Sequence, residues 1–279
     1  MLHYSKYPSY LQLPTNRAIK RQSIAINIIA TQLYNRFLHD LLNSISKYFL
    51  NEHDLTVYIY TDQINKDLKE IDLNVEFVTI QHTPFPLPTL LRHSTLLKNL
   101  PQLEKHDYNF HLDADIIFIN QIGNELLGDG LTAIEHPSVP FSNMPQVFRN
   151  LTYENNKLSK AYIEEQNRVS YYCGAFQGGK TKTYMEAITV ISKNIEQDLG
   201  QNIIARYHDE THWNRYLVDH PPSVRLPFWY CFPETADTNN RVCPWNTHAV
   251  VPDGEQIKML CFDKDLHGGY VNYRGSALK

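Results

Sequence analysis

Two carboxylates, Asp113 and Asp115, alternate within an otherwise apolar stretch of the chain. If this stretch is a strand, both side chains point to the same face, because strand side chains repeat with a period of two. Like charges held together repel each other, and a bound Mg²⁺ or Mn²⁺ ion would relieve that repulsion through the oxygen ligands it prefers. A bare carboxylate in apolar surroundings is costly, which singles out this pair. Spacing alone leaves its metal binding open.

Two histidines, His208 and His212, stand four residues apart and would share one face of a helix. This spacing is typical of zinc hydrolases with an H-E-x-x-H motif, but Asp209 takes the position of the glutamate. A zinc hydrolase would also need a third ligand, for which His220 and Glu234 are candidates. The alternative is the start of a helix, where acidic side chains interact favourably with the helix dipole.

Composition excludes several classes of function. The chain has 279 residues with 42% hydrophobic and 20% charged residues, which is typical of a globular protein. Its formal net charge of −4 argues against a nucleic-acid binder, because such proteins depend on basic surfaces. Neither a P-loop nor a G-x-G-x-x-G motif is present. The 12% aromatic content keeps a non-catalytic sugar-binding module open as an alternative.

Strands and helices that could position these residues alternate along the chain, which predicts an α/β fold with a mainly parallel, doubly wound sheet in a single domain. The predicted strands are residues 23–30, 55–60, 75–80, 108–119, 131–135, 171–176 and 259–262. The predicted helices are residues 33–50, 89–103, 184–199 and 209–218. Residues 143–167 are polar and poorly patterned, and are expected to form a functional or mobile loop.

The location predicted from the sequence is the cytoplasm. The first 20 residues lack the apolar core of a signal peptide, and the longest apolar stretch is far shorter than a membrane span of about 20 residues. The four cysteines form no CxxC pair, so we expect free thiols in a reducing compartment rather than a disulfide framework.

Seven segments, taken in order, resemble glycosyltransferase family 6, which contains the blood-group A and B transferases. The segments are YTDQ at 60–63, DAD at 113–115, EHP at 135–137, LTYE at 151–154, KAYI at 160–163, YYCGAFQGG at 171–179 and YHDETHWNRY at 207–216. The resemblance spans about residues 23 to 230. No single segment is decisive, but their common order is not expected by accident.

The resemblance implies a GT-A fold with a catalytic domain over residues 23–263, an N-terminal arm over 1–22 and a C-terminal tail over 264–279 that closes over the donor. It implies a retaining α-1,3-N-acetylgalactosaminyl- or galactosyltransferase. The sugar would pass from a UDP-sugar to a galactose-ended glycan, fucosylated or not, with Mn²⁺ or another divalent cation as cofactor. Some bacterial relatives replace both acids of the metal motif by Asn, whereas this chain keeps both, so we expect metal dependence.

The resemblance also assigns residues to roles. Among the residues implied to bind the donor or its metal, Ile29, Ala30 and Tyr34 would bind the uracil, and Cys173, Gly174 and Ala175 would select the sugar. Asp113, Ala114 and Asp115 would bind the metal and UDP, with the two acids as metal ligands. Arg92, Asp209, Lys264 and Arg274 are also implied to bind the donor. Those implied to contact the acceptor are His136, Thr152, Tyr207 and Glu210. Glu210 matches the carboxylate nearest the reacting carbon. The small side chains at 173–175 favour N-acetylgalactosamine, because they leave room for an acetamido group.

Overall fold

The computed structural model describes residues 20–137, 152–234, 241–243, 246–264 and 267. Six of the seven predicted strands contribute to a seven-stranded central sheet, whereas the strand predicted at 259–262 lies in a separate sheet. The seventh strand of the central sheet, Val224–Leu226, was not predicted. In chain order the strands are β1 Ser23–Ile29, β2 Asp54–Thr61, β3 Asn74–Thr79, β4 Tyr108–Asp113, β5 Ile116–Phe118, β6 Leu131–Glu135, β7 Tyr172–Lys180, β8 Val224–Leu226, β9 Phe232–Pro233, β10 Val242–Cys243, β11 Asn246–Val250 and β12 Met259–Cys261. The central sheet has the order β3-β2-β1-β4-β7-β6-β8.

Most neighbouring strands of the central sheet are parallel, as predicted. β3, β2, β1 and β4 pair in parallel, as do β6 and β8, whereas β7 runs antiparallel to both β4 and β6. The carboxyl ends of β1, β2 and β4 therefore meet at one edge, where Ile29 pairs with both Tyr60 and Asp113. Ligands of open α/β sheets bind at such an edge. This edge carries the acidic motif.

Six α-helices lie among the described residues. They are α1 Leu38–Tyr48, α2 Leu87–Leu90, α3 Arg92–Leu97, α4 Leu100–Leu103, α5 Thr181–Gly200 and α6 His208–Asp219. The two helices predicted last along the chain are confirmed as α5 and α6. The helix predicted over 33–50 begins with a 3₁₀ segment, Gln32–Phe37, before α1. The helix predicted over 89–103 is three short helices, because Pro101 has no N–H to continue the preceding helix and instead occupies the first turn of α4.

Two apolar clusters cover the two faces of the sheet. Alternate residues of β1 point to opposite sides: Ile24, Ile26 and Ile28 join α1 in one cluster, and Ala25 joins α3, α5 and α6 in the other. Covered faces on both sides are typical of doubly wound α/β folds. The predicted α/β class with a mainly parallel sheet in a single domain is confirmed, and it agrees with the GT-A fold that the resemblance implies.

The sequence had predicted one continuous strand through the acidic motif, and the structure does not have one. β4 ends at Asp113, residues 114 and 115 form a turn, and β5 then begins in a separate three-stranded sheet with β12 and β9. The period-two argument for Asp115 was therefore wrong: β4 belongs to the central sheet and β5 to another, so the chain must change direction between them.

β7 extends beyond its predicted end at Phe176 and passes through Gly178 and Gly179. A side chain at Gly178 would overlap the ring of Phe110 on the neighbouring strand, so the glycine permits close strand pairing there instead of ending the strand. Within the described part of the chain, every helix is too short or too polar to cross a membrane. Most of the arm at 1–22 and of the tail at 264–279 lies outside the described residues.

Candidate active site

Arg92, the first residue of α3, connects three parts of the sheet edge. Its guanidinium donates to the carbonyl of Gly174 at 2.7 Å and lies 3.0 Å from Asp113 Oδ1 and 3.0 Å from Asp209 Oδ2. Only 5% of Arg92 is exposed. A buried guanidinium needs nearby carboxylates, and here it holds the end of β4, the middle of β7 and the start of α6 together. The sequence alone had given Arg92 no partners.

Asp113 remains accessible although it carries this ion pair. Its side chain is 30% exposed, and His111 Nε2 lies 3.2 Å from the same oxygen that Arg92 contacts. Burial alone would raise the pKa of Asp113, but Arg92 and His111 outweigh it and hold that pKa below its usual value. Asp113 is therefore an ionised carboxylate at neutral pH with one oxygen, Oδ2, not engaged by these partners.

Asp115 lies in the turn after β4 and contacts the C-terminal segment. Lys264 Nζ is 2.7 Å from Asp115 Oδ2, and the same ammonium lies 5.7 Å from the ring centroid of Tyr34. Burial raises the pKa of Asp115, and Lys264 opposes that shift. The segment after β12 therefore reaches back over the acidic motif, so the predicted Lys264 is placed beside the predicted metal ligand.

The first turn of α6 brings two more carboxylates to the site. Glu210 Oε2 accepts a hydrogen bond from the backbone N–H of Gly174 at 2.7 Å. Asp209 is fully buried, and its second oxygen, Oδ1, has no hydrogen-bond partner among the described residues. Burial raises the pKa of each carboxyl to about 7, against the lowering effects of Arg92 on both and of the Gly174 N–H on Glu210. Carboxyl groups with raised pKa values in one cleft are typical of functional sites.

The tripeptide at 173–175 is placed beside these groups, but its small side chains serve different purposes. Cys173 Sγ points away into the core and lies 2.8 Å from Cys231 Sγ. The space that a side chain of Gly174 would need is taken by Glu210, whose Cβ would lie 2.9 Å from an added Cβ. Ala175 is the only partly exposed residue of the three. Small size at Cys173 and Gly174 therefore gives no separate support for an acetamido group.

The residues predicted to bind uracil lie at the end of β1, next to Asp113. Ala30 donates its N–H to the carbonyl of Tyr60 at 2.9 Å, and Tyr34 lies half-buried in the 3₁₀ segment that follows. Asp62, at the end of β2, accepts from the N–H of Gln32 at 3.0 Å and holds that segment against the sheet edge. These residues and the acidic motif thus share one edge, with Lys264 between them.

The residues predicted to contact the acceptor gather around Tyr171. The His136 ring packs edge-on against the Tyr171 ring with centroids 5.8 Å apart, and Tyr153, the neighbour of Thr152, packs against the same ring at 5.3 Å. Tyr207 precedes α6 with 46% of its surface exposed. An exposed ring beside a cleft is suited to stacking against a sugar. Arg274 lies outside the described residues.

The alternative zinc site receives no support from the described residues. His212 is buried with its Nε2 3.5 Å from Asp198, whereas the ring of His208 packs edge-on against Phe85. Of the proposed third ligands, His220 stacks on Tyr216, and Glu234 contacts His267. Within the described ranges, no group of three or more His, Cys, Asp or Glu side chains is arranged to hold a metal ion.

The oxygen ligands and the charge of the site nevertheless suit a divalent cation whose coordination is completed by a bound substrate. Four carboxylates, those of residues 113, 115, 209 and 210, face two cations, Arg92 and Lys264. Asp113 and Asp115 supply hard oxygen donors of the kind that Mg²⁺ and Mn²⁺ prefer. Two protein carboxylates with the remaining positions left to water and phosphate are typical of Mg²⁺ sites in nucleotide-binding enzymes.

Three buried polar residues at the site were missed by the sequence analysis: His93, His111 and Gln177. His111 contacts Asp113, and Gln177 contacts His93, Gly174 and Asp209. A signal was present, because a polar side chain within an apolar strand is costly unless it is paired. Periodicity could not identify the partners, since they come from distant parts of the chain.

Comparison with known proteins agrees with this geometry. The family model for glycosyltransferase family 6 matches residues 13–251. The chain is 29% identical over 254 residues to the O-antigen biosynthesis glycosyltransferase WbnI of Escherichia coli, covering 90% of this chain and 100% of that protein. It is 30% identical over 214 residues to the globoside alpha-1,3-N-acetylgalactosaminyltransferase 1 of Gallus gallus, and 26% identical over 215 residues to the histo-blood group ABO system transferase 2 of Rattus norvegicus.

The match to the two animal proteins covers 73% and 75% of this chain but only 60% and 63% of their own lengths. The family match covers most of the chain and includes every predicted site residue except Lys264 and Arg274. These findings make the protein a transferase and favour that class over a non-catalytic sugar-binding module. The chain belongs to glycosyltransferase family 6.

Proposed function

We propose that the protein is a retaining α-1,3-glycosyltransferase that moves N-acetylgalactosamine or galactose from a UDP-sugar to a galactose-ended glycan, fucosylated or not. One observation carries this proposal: the Glu210 carboxylate is held by the Gly174 N–H at the same sheet edge where Arg92 joins Asp113 to Asp209. A carboxylate for the reacting carbon and an acidic motif for the diphosphate are thus positioned by one buried cation.

The donor would lie along the carboxyl ends of β1 and β4. Tyr34, with Ile29 and Ala30, offers an aromatic face for the uracil, and Asp113 and Asp115 would hold Mn²⁺ or another divalent cation. Such a cation, when bound, neutralises negative charge on the diphosphate leaving group. Lys264 would add a second positive charge close to the phosphates. This arrangement accounts for the binding of a diphosphate by a protein with a net charge of −4.

In the transfer step, the bond from the anomeric carbon to UDP breaks and a bond to the acceptor oxygen forms on the same face, while the proton of the acceptor hydroxyl passes to the departing diphosphate. Positive charge develops on the sugar ring, as in glycoside hydrolysis. Glu210 can either attack the anomeric carbon from the opposite face or stabilise that charge while the acceptor approaches. Both roles need the ionised form, which the Gly174 N–H favours. The resemblance also assigns Asp209 a contact to the donor sugar, which would require its buried Oδ1 to become accessible when the donor binds.

The acceptor would approach between Tyr207 and the residues around Tyr171. The name of the bacterial relative refers to O-antigen biosynthesis, and the animal relatives are named for globoside and blood-group reactions, so surface glycans are the acceptor class that we propose. We place the reaction in the cytoplasm because the cysteine spacing in the sequence, with no CxxC pair, does not indicate a disulfide framework. Residues 23–263 form the proposed catalytic domain, residues 1–22 an arm, and residues 264–279 a tail over the donor.

The direct test is turnover of UDP-galactose and UDP-N-acetylgalactosamine on a panel of galactose-ended acceptors, with and without Mn²⁺. We expect transfer to at least one fucosylated or unfucosylated acceptor, with an α-1,3 linkage by NMR and dependence on the metal. Transfer only from another nucleotide sugar, or a product of inverted configuration, would contradict the proposal.

Glu210→Gln tests the role of the carboxylate. We expect turnover to fall by a factor of about 10²–10³, because a group that stabilises developing charge contributes about that much, while UDP affinity stays within about twofold. Asp219→Asn, at the exposed end of the same helix, is the matched control and should keep wild-type activity. Near-normal transfer by Glu210→Gln would remove Glu210 from the mechanism.

A further inference from the structure

A row of polar side chains crosses the centre of the sheet at the level of the site. Asn27 on β1 pairs with His111 on β4, and His111 pairs with Gln177 on β7. Asn27 and Gln177 are completely buried, and His111 is 2% exposed. Buried polar side chains destabilise a fold unless they are paired, so the partners of each one carry information about its purpose.

Gln177 uses both ends of its amide. Its Nε2 donates to Asp209 Oδ2 at 3.2 Å and to the carbonyl of Gly174 at 3.3 Å, and its Oε1 lies 2.6 Å from His93 Nε2. The two acceptors fix the orientation of the amide, and His93 then donates through Nε2. Burial keeps the pKa of His93 low, at about 3, so this histidine is a neutral donor.

Gln177 and Arg92 share the same two acceptors. Arg92 also contacts Asp209 Oδ2 and the Gly174 carbonyl. Together they occupy one oxygen of Asp209 and leave the other, Oδ1, without a partner among the described residues. Arg92 alone could hold Asp209 in more than one rotation of the carboxylate, whereas a second donor on the same oxygen selects one of them.

We propose that Gln177, supported by His93, is a positioning residue that fixes the buried Asp209 carboxylate and the Gly174 peptide whose N–H holds Glu210. The inference rests on the proposed function, because it takes the sugar of the donor to lie against Glu210, whose position these contacts set. It predicts that Gln177 contributes to recognition of the sugar and not of the nucleotide. Substitution should therefore change the affinity for a UDP-sugar relative to UDP.

The test compares two substitutions that nearly preserve side-chain volume. Gln177→Met removes all three hydrogen bonds, and Gln177→Glu keeps the acceptor for His93 but replaces the donors by a carboxylate facing Asp209. The control is Asn109→Leu: Asn109 is equally buried, donates to Leu103 O at 3.0 Å and Thr181 Oγ1 at 2.8 Å, and lies at the other end of β4 from Asp113. Melting temperatures, calorimetric affinities for UDP and for each UDP-sugar, and KM and kcat per folded enzyme are measured for all three.

For Gln177→Met we expect donor affinity to fall about tenfold, as for the loss of one hydrogen-bonding group worth about 1.4 kcal/mol, with UDP affinity within twofold of wild type. Gln177→Glu should weaken donor binding further, because its charge faces Asp209. Asn109→Leu should lose stability without changing the ratio of UDP-sugar to UDP affinity. The inference is overturned if Gln177→Met behaves as the control does, with lower stability and unchanged ratio. Failure of the proposed function is recognised separately, because wild-type protein would then bind neither UDP nor a UDP-sugar.

Discussion

Gly174 and Glu210 approach each other so closely that a β-carbon on Gly174 would lie 2.9 Å from Cβ and 3.0 Å from Oε2 of Glu210. The same glycine donates its N–H to that carboxylate at 2.7 Å. The glycine is thus required by the position of the carboxylate. Its small size had been interpreted from the sequence as space for the donor sugar, and the structure gives a different physical reason for it.

Gly174→Ala should therefore disable the enzyme by displacing Glu210. We expect turnover to fall at least tenfold with both UDP-galactose and UDP-N-acetylgalactosamine, because the added methyl group moves the reacting carboxylate away from both sugars alike. Steady-state kinetics with the two donors measure this. Cys173→Ala, whose side chain points into the core, is the control and should keep the donor preference. A change of donor preference in Gly174→Ala with full turnover would show that the glycine contacts the sugar instead.

The raised pKa of Glu210 predicts how stability depends on pH. Burial raises this pKa to about 7, so the folded protein retains a proton that the unfolded chain loses near pH 4.5. Since the folded state then binds more protons, the free energy of unfolding falls as pH rises from about 4.5 to about 7. Because Glu210 is partly exposed, we expect the loss to be on the order of 1–2 kcal/mol.

Glu210→Gln removes this loss and should be more stable than wild type at pH 8, with the difference shrinking towards pH 5. Urea unfolding at both pH values measures the two differences. Asp219→Asn, at the exposed end of the same helix, serves as the comparison for a carboxylate outside the site. Equal stability of Glu210→Gln and wild type across this range would mean that burial does not raise the pKa of Glu210.

The acidic pair predicts a metal response that a double substitution removes. Asp113→Asn together with Asp115→Asn preserves the size of both side chains but removes two charges, so Mn²⁺ affinity should fall by a factor of about 10² or more, since charged oxygen ligands dominate binding of such ions. Isothermal titration with Mn²⁺ in the presence of UDP measures it. Asp219→Asn, at the exposed end of α6 and paired with Arg215, is the control and should keep metal affinity. Unaltered metal binding in the double variant would remove the assignment.

Most of the sheet could be predicted from the sequence, because buried parallel strands are continuous β-branched runs: residues 23–30 and 55–60 became β1 and β2. The turn at Asp115 could not. It exists because β5 pairs with β12, more than 100 residues away along the chain, and local periodicity carries no information about that partner. The three pieces of the helix expected over 89–103 show the same limit, with Pro101 as the one visible local signal.

The candidate site was predicted as separate motifs, and the structure supplies the connections between them. The carboxylates of Asp113 and Asp209 are 96 residues apart in the sequence, yet both contact one guanidinium. That convergence follows from the fold, because β4 and β7 are neighbours in the central sheet and α6 packs against β7. The amide of Gln177 and the ring of His111 are required to satisfy these buried groups, and nothing in their own local sequence specifies that pairing.

Lys264 and a metal ion bound by Asp115 would compete for the same carboxylate. The Lys264 Nζ is 2.7 Å from Asp115 Oδ2, so the ammonium must move, or share that carboxylate, when a divalent cation binds there. Lys264→Met keeps a long aliphatic side chain but removes the charge that lies beside Asp115 and Tyr34. In the absence of donor, Mn²⁺ should therefore bind several-fold more tightly to this variant than to wild type.

The measurement is Mn²⁺ titration followed by electron paramagnetic resonance at pH 8, because burial raises the pKa of Asp115 and a higher pH favours its ionised form. Lys258→Met is the matched control: Lys258 immediately precedes β12 and donates to the carbonyl of Gln121 at 2.9 Å, away from the acidic motif. UDP affinity should fall in Lys264→Met and not in the control, because only Lys264 would lie beside the diphosphate. Weaker Mn²⁺ binding by Lys264→Met without donor would mean that the lysine supports the metal ligands rather than competing for them.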